Sequence, residues 1–329
     1  MIDSCLKILK EKRHLTSEES NACLQEIFTG QVNKEKIKEL LTLLHANGES
    51  VSEIVGFATA MRHAMTPIML SENAIDVCGT GGYAQERFNT STAAAFVLAS
   101  LGIPVAKHGN RGSRKSNGSF DFLEALGIQW DTAIKARFDE TKLAFLFARN
   151  HHPAMRHVAE ARQELPFRTI FNLLGPLCNP ASVKRQVIGT STQENAEKIV
   201  DALQKLGTER AMVIVGPNGL DELSTEAPSL LYELVNGSVI RGVFKPKGLF
   251  RSLTPTDTIG TAQQNALLCQ RLFSEGITDH PISKAIALNA SAGLYIAGKA
   301  YSIEKAYPLA LSAIETKKAW EVLEKFRNG

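Results

Sequence analysis

The segment KHGNRGSRKSNGSFDFLEALG, residues 107–127, places Lys107, His108 and Arg111 within five positions and adds Arg114 and Lys115 just beyond. Gly109, Gly112 and Gly118 let the backbone turn closely, and the apolar FLEALG at 122–127 predicts a helix. A basic, glycine-rich loop feeding a helix suits an anion, because N–H groups at the helix start point outward and nearby cations neutralise its charge. A second glycine turn lies upstream, Asp76-Val77-Cys78-Gly79-Thr80-Gly81-Gly82, after an apolar approach that reads as the end of a buried strand. Asn89, Thr90, Ser91 and Thr92 then offer an N-cap to the helical run AAAFVLASLG. This order is neither GxGxxG nor Walker A. The two turns together predict phosphate or pyrophosphate binding. A third turn, GLDELS at 219–224, carries the adjacent carboxylates Asp221 and Glu222. Such a pair suits Mg²⁺, a hard ion that takes one or two carboxylates plus phosphate oxygens, although an isolated Asp-Glu pair is more often a solvated acidic turn.

The elements that must position these residues alternate in texture. Residues 1–65 predict helices throughout: Thr16 with Glu19 and Ser50 with Glu53 form capping boxes, and Ile37, Leu40, Leu41 and Leu44 form one apolar stripe. Strand-like runs follow at Ile75–Val77, Pro104–Ala106, Gln186–Gly189 and Met212–Val215, with helix-like runs at Thr92–Leu101 and Glu194–Leu206 between them. Buried apolar strands alternating with helices predict an α/β fold with a mostly parallel sheet, and the last third, from Asn265, predicts helices again. Ligands of such sheets collect beyond the carboxyl ends of the strands, where all three turns would lie.

Composition narrows the function classes. The 329 residues allow two domains or one large one, and a net charge of +3 is too small to indicate nucleic acid by itself. Five scattered cysteines without a C-x-x-C pair argue against a disulfide framework or zinc site and fit a reducing cytosol. No apolar run reaches the ~20 residues that span a bilayer, and MIDSCLKILKEKR lacks the apolar core of a signal peptide.

GTGG (79–82), FNTSTAAAF (88–96), KHGNR (107–111), DFLEALG (121–127), HHPAMRHV (151–158), ARQELPFRTIFNLLGPLCNPA (161–181) and GLDELS, in this order and spacing, resemble the anthranilate phosphoribosyltransferases of tryptophan biosynthesis. The likeness covers nearly the whole chain. It implies a small helical domain at 1–66, rejoined by a helical segment at about 160–184, and a larger α/β domain at 67–329. It implies transfer of the phosphoribosyl group from phosphoribosyl pyrophosphate to anthranilate in the cytoplasm, with Mg²⁺, expected as two ions, held by Asp221, Glu222 and Ser91. Gly79, Thr80, Gly81, Gly82, Asn89, Ser91, Thr92, Lys107, Arg114 and Lys115 would bind the phosphoribosyl donor. His108, Asn110, His152, Arg162 and Pro176 would form the acceptor pocket, Arg162 pairing with the substrate carboxylate, with Lys107, Asn110 and Arg162 serving to position the reactants. No general base stands out. The resemblance also implies a homodimer formed through the N-terminal helices, which are expected to expose a broad apolar face.

Two departures from the family pattern stand out. Tyr83 occupies the position of the aspartate that usually follows GTGG, and Arg114 and Lys115 replace paired serines in the loop after KHGNR. One negative charge is lost and two positive ones are gained where pyrophosphate would sit. These changes leave open a phosphoribosyltransferase for another aromatic amine, or a non-catalytic relative that binds nucleic acid, although such a protein has no need of Asp221, Glu222, Arg162 and Asn110 together.

Overall fold

A computed structural model describes residues 1–81, 87–112, 117–246 and 260–328. Gly82 and Tyr83, with Arg114 and Lys115, lie outside the described residues. The chain opens with α1 (Ile2–Lys10), α2 (Ser17–Phe28), α3 (Lys34–Asn47) and α4 (Val51–Ala64). Both expected capping boxes form. The Glu19 amide donates to Thr16 Oγ1 at 3.1 Å while Glu19 Oε2 accepts from the Thr16 amide. Glu53 closes the second box and also accepts the Leu15 amide at 3.0 Å, tying the start of α4 to the loop before α2. The apolar stripe of α3 is fully buried. Among the large apolar residues that stand exposed, only Met1, just before α1, lies in this region, while Ile8, Phe28, Leu43, Val51 and Val55 of these helices are half-buried.

A seven-stranded sheet follows, in the order β3-β2-β1-β4-β5-β6-β7. Its strands are β1 (Ile75–Gly79), β2 (Val105–Gly109), β3 (Leu143–Phe147), β4 (Arg185–Gly189), β5 (Arg210–Val215), β6 (Ser229–Val235) and β7 (Ser238–Phe244). The first five are parallel and the last two antiparallel. Between them run α5 (Thr90–Ser100), α6 (Ser119–Ala125), α7 (Ile134–Thr141), α8 (Ala148–His151), α9 (Arg156–Gln163), α10 (Phe171–Leu174) and α11 (Gln193–Lys205). The chain closes with α12 (Ala262–Glu275), α13 (Pro281–Ile296), α14 (Ile303–Glu315) and α15 (Lys318–Asn328).

Side-chain alternation decides which layer covers each face. Ile75, Val77, Val187, Met212 and Ile214 join one core with α5, α13 and α15. Ile188, Ala211, Val213 and Val215 join the other, with α11, α10 and the N-terminal helices. Both faces are therefore dry, as a parallel sheet requires. α9 packs against α2 and α3, and α10 against α4, so the chain between β3 and β4 lies beside the N-terminal helices. Among the described residues no helix is long and apolar enough to cross a membrane.

Candidate functional site

The carboxyl ends of β1, β2 and β4 converge on one cluster. β1 ends at Gly79, and the next residue, Thr80, is pinned across to β4 by its amide, which donates to the Gly189 carbonyl at 2.9 Å. The acidic turn lies directly above. A Cβ on Gly79 would sit 2.7 Å from Asp221 Oδ2, and a Cβ on Gly189 would overlap the Asp221 carbonyl. Glycine is thus demanded at both strand ends by the close approach of Asp221. The turn is held from beneath by Asn289 of α13, whose Oδ1 accepts the Leu223 amide at 2.9 Å while its Nδ2 donates to the Leu223 carbonyl. Gly81 continues the turn in the left-handed region, at φ +62°.

Two cations reach the backbone and side chains around this turn. Lys107 is buried at the end of β2, where its Nζ donates to the Val77 carbonyl at 2.5 Å and to Ser91 Oγ at 3.2 Å. Burial lowers its pKa, and the buried carboxylate of Asp76 opposes that. Arg168 donates to the carbonyls of Thr80 and Gly81 at 3.1 and 2.6 Å, clamping the glycine turn. Asp76 joins three chain segments: Oδ1 accepts the His108 amide at 3.2 Å, and Oδ2 accepts Asn179 Nδ2 at 2.8 Å, which is shared with the Ala106 carbonyl. Burial pushes Asp76 up to about 6 against the pull of Lys107.

Asp221 is part-exposed and lies 3.4 Å from Arg87 Nη1. Glu222 is raised to about 7, first by burial and then by the charge of Asp221. A carboxylate whose ionisation is opposed by burial and by a neighbouring acid is what a divalent cation relieves, and with Ser91 at the start of α5 the donor set is all oxygen, as Mg²⁺ requires. Among the described residues no group of three or more His, Cys, Asp or Glu is disposed to hold a metal, so substrate oxygens would have to complete any coordination.

The remaining expected residues divide. His108 directs Nδ1 at the Gly175 carbonyl, 3.0 Å away, and its buried Nε2 completes no hydrogen bond. The His152 ring lies 5.2 Å from it, and both rings are kept neutral by burial, His108 at about 3 and His152 at about 4. Arg162, in the last turn of α9, stacks 5.1 Å over Phe171 and leaves Nε without a partner. Burial alone lowers it, with no carboxylate acting on it. Pro176 is buried, its carbonyl taken by Gln186 Nε2 at 2.7 Å. Asn110 is exposed. Thr92 is buried in the first turn of α5.

Three sequence-based expectations are corrected. Asn89 does not cap α5 with its side chain; it donates instead to the carbonyls of Asn117 and Gly118 and accepts from Asn265, bracing the basic loop. Arg111 is not a free loop cation, because Glu124 and Asp121 of α6 engage it. The start of α6 is also taken: the amides of Gly112 and Gly118 donate to Asp121 Oδ2 at 2.7 and 2.8 Å. Among the described residues the cations that remain beside the glycine turn are Lys107 and Arg168. Sequence reasoning passed over Arg168, Asp76, Asn179 and Asn289, each of which holds a partner 66 or more residues away along the chain.

Residues 71–320 match the α/β domain of a glycosyl transferase family, and residues 3–65 match that family's helical bundle domain. An anthranilate phosphoribosyltransferase from Geobacillus kaustophilus is 42% identical, over 99% of this chain and 98% of its own. One from Rubrobacter xylanophilus is 41% identical over 99% of this chain and 96% of its own. Among solved structures, anthranilate phosphoribosyltransferase from Thermus thermophilus superposes with a TM-score of 0.90 at 36% identity, covering 98% of each chain. The Saccharomyces cerevisiae enzyme in complex with PRPP and Mg shares the fold, at a TM-score of 0.89 and 23% identity over 99% of this chain and 97% of that one.

Proposed function

This chain belongs to the anthranilate phosphoribosyltransferases of the glycosyl transferase family, and from that premise we propose how its own residues transfer the phosphoribosyl group of phosphoribosyl pyrophosphate to anthranilate. One observation carries the reading. The glycine turn, Lys107, Arg168 and the Asp221-Glu222 pair meet at the carboxyl edge of the sheet, and the segment 171–177 joins them to a neutral histidine pair and to an arginine without a carboxylate.

The reaction forms a bond from the anthranilate nitrogen to C1 of the sugar and breaks the bond from C1 to the pyrophosphate oxygen. Negative charge then grows on the departing pyrophosphate. The Thr80–Gly81 turn, Asn89, Ser91 and Lys107 hold the donor, with Gly79 keeping the approach open, and Gly82, Arg114, Lys115 and Thr92 belong to this set by family position. Asp221, Glu222 and Ser91 hold Mg²⁺, as two ions. When bound, Mg²⁺ neutralises the developing charge, which is electrostatic stabilisation without a covalent intermediate. Arg162 takes the anthranilate carboxylate bidentately, a role suited to a planar guanidinium with which no carboxylate pairs among the described residues. His108 and His152, neutral at physiological pH, and Pro176 line the ring's entrance, and Asn110 reaches the amine. An aniline nitrogen is uncharged at neutral pH, so positioning supplies the main contribution.

Residues 1–66 with the returning segment 160–184 act as the small domain, and 67–329 as the donor-binding domain. The protein works as a homodimer through its N-terminal helices, a reading supported by the family resemblance and by the half-buried Ile8, Phe28, Leu43, Val51 and Val55 of these helices. Purified chain mixed with Mg²⁺, phosphoribosyl pyrophosphate and anthranilate tests the reaction: anthranilate fluorescence falls as product forms. An unchanging signal, with the donor consumed only when another aromatic amine is supplied, would replace the acceptor.

A further inference from the structure

A polar cavity of about 200 Å³ opens at the amino edge of the sheet, with Pro176, Leu177 and Asn179 of the segment behind the candidate site in its lining. The end of α4, the loop before β4 and the turn before β5 enclose it, and Arg62, Ser182, Lys184 and Thr208 contribute side chains to its lining. No aspartate or glutamate lines it. Arg62 is the unusual member. It is part-buried, its Nε donates to the Leu177 carbonyl at 2.7 Å, and among the described residues no carboxylate pairs with it. Withdrawing a guanidinium from water without a counter-charge is costly unless something else supplies that charge. Arg162, over Phe171 at the other end of the 171–177 segment, is likewise withdrawn from water, and among the described residues no carboxylate pairs with it.

The other donors complete a consistent set. Lys184 reaches the cavity while its ammonium touches Glu209 at 3.3 Å, and both are about half exposed, so this surface pair is weak and yields easily. Thr208 is nearly buried at 9% exposure, and its hydroxyl, like that of Ser182, can donate. Two cations and two hydroxyls around a small cavity without acids form an anion receptor.

We infer that this cavity binds a small oxyanion, a carboxylate or phosphate, held bidentately by the two Nη atoms of Arg62 with Lys184, Ser182 and Thr208 around it. Its volume lies below the roughly 300–1,000 Å³ of pockets that take drug-sized ligands, which excludes a nucleotide or a whole phosphoribosyl pyrophosphate. The cavity borders the proposed acceptor pocket and shares Pro176 with it. Arg62 holds the Leu177 carbonyl and Gln186 holds the Pro176 carbonyl, while the Gly175 carbonyl of the same turn takes His108.

Titration calorimetry on the full chain tests the inference, with Mg²⁺ and pyrophosphate kept saturating so that the candidate site is filled. Inorganic phosphate and acetate, titrated separately, distinguish the two ligand chemistries. Binding of either in one further event per chain, weakened about tenfold or more in Arg62→Gln, supports the assignment. Lys184→Gln, at an exposed position that leaves the core untouched, weakens it by a smaller factor and decides the matter if the Arg62 variant fails to fold. Selenate soaked into crystals gives an anomalous peak at hydrogen-bonding distance from Arg62. Absence of any further event with both probes, equal affinity in Lys184→Gln and wild type, or selenate found only elsewhere overturns the site.

Discussion

Asp221 and Glu222 are neighbours in sequence but not in environment: the first is part-exposed beside Arg87, the second is raised to about 7 by burial and by the first. Asp221→Asn with Glu222→Gln removes both charges without emptying core volume, so turnover in Mg²⁺ should vanish while the thermal midpoint holds or rises. Persisting activity would remove the pair from the site. Arg162→Ala should raise KM for anthranilate roughly 10- to 100-fold, the worth of a charge-assisted carboxylate contact, and leave KM for phosphoribosyl pyrophosphate nearly unchanged. Steady-state kinetics with each substrate varied in turn would separate this from general damage, in which both constants move. Asp76 carries the pH prediction. Its folded-state pKa, about 6, lies above the ordinary 3.8, so the stability it contributes is complete below about 3.8 and is lost as pH climbs through 6. That loss is on the order of 3 kcal/mol. Asp76→Asn cannot titrate and forfeits one hydrogen bond, since both partners of the carboxylate are donors. Urea unfolding from pH 4 to 7 should show the variant less stable throughout, with the gap narrowing toward pH 7; a constant gap would mean that Asp76 is ionised in the folded protein at every pH.

Elements were legible in proportion to how locally their signals were written. The capping boxes of α2 and α4 and the apolar runs of β1, β2, β4 and β5 are each contained within a few residues, and all of them form. LAFLF of β3 is equally apolar, but it sits between helical segments and periodicity alone does not separate a short buried strand from a helix. The hairpin β6–β7 had a local sign that went unread: Asn236-Gly237 between two strand-forming runs, with φ of +50° and +73°, is the pair that a two-residue primed turn requires. The site was legible where glycines and charges cluster along the chain. It was opaque where one side chain holds a distant backbone, as Arg168 holds Thr80 and Asn289 holds Leu223. The placement of the acidic turn over β4 gives an element-scale prediction. Gly189→Ala puts a Cβ onto the Asp221 carbonyl, so the turn must move while β4 stays in register. A shift of about 1 Å in a positioning group costs on the order of 100-fold in kcat/KM. Thermal unfolding should change far less than activity does; a variant as active as wild type would show that the turn adapts at no cost.

Across the whole molecule, the groups that would hold the two substrates hang from different layers. Lys107, Thr80 and Asp221 are fixed by the sheet and by α13, whereas Arg162 rides on α9, which packs against α2 and α3 and is braced there by Lys34 and Lys38 on Glu160 and Glu164. These ion pairs are exposed and contribute little, so the buried contacts between the layers set their relation. Those contacts include the core that the N-terminal helices share with Ile188, Ala211, Val213 and Val215, Arg168 on the Thr80 and Gly81 carbonyls, His108 on the Gly175 carbonyl, Gln186 on the Pro176 carbonyl, the Thr66 amide on the His151 carbonyl at 2.7 Å and the Ile68 amide on the Pro180 carbonyl at 3.1 Å. With the donor groups on one layer and the acceptor arginine on the other, binding of the phosphoribosyl donor should be indifferent to the acceptor arginine. A ligand that binds only the folded state stabilises it by about 2.7 kcal/mol at 100 times its Kd. Phosphoribosyl pyrophosphate with Mg²⁺ should therefore raise the thermal midpoint of Arg162→Ala as much as that of wild type, and should not raise that of the Asp221→Asn, Glu222→Gln variant. Combining all three substitutions should add their separate effects within about 0.5 kcal/mol, as distant sites without shared partners do. If Arg162→Ala also abolishes stabilisation by the donor, the two layers bind phosphoribosyl pyrophosphate jointly and the division of labour between them is wrong.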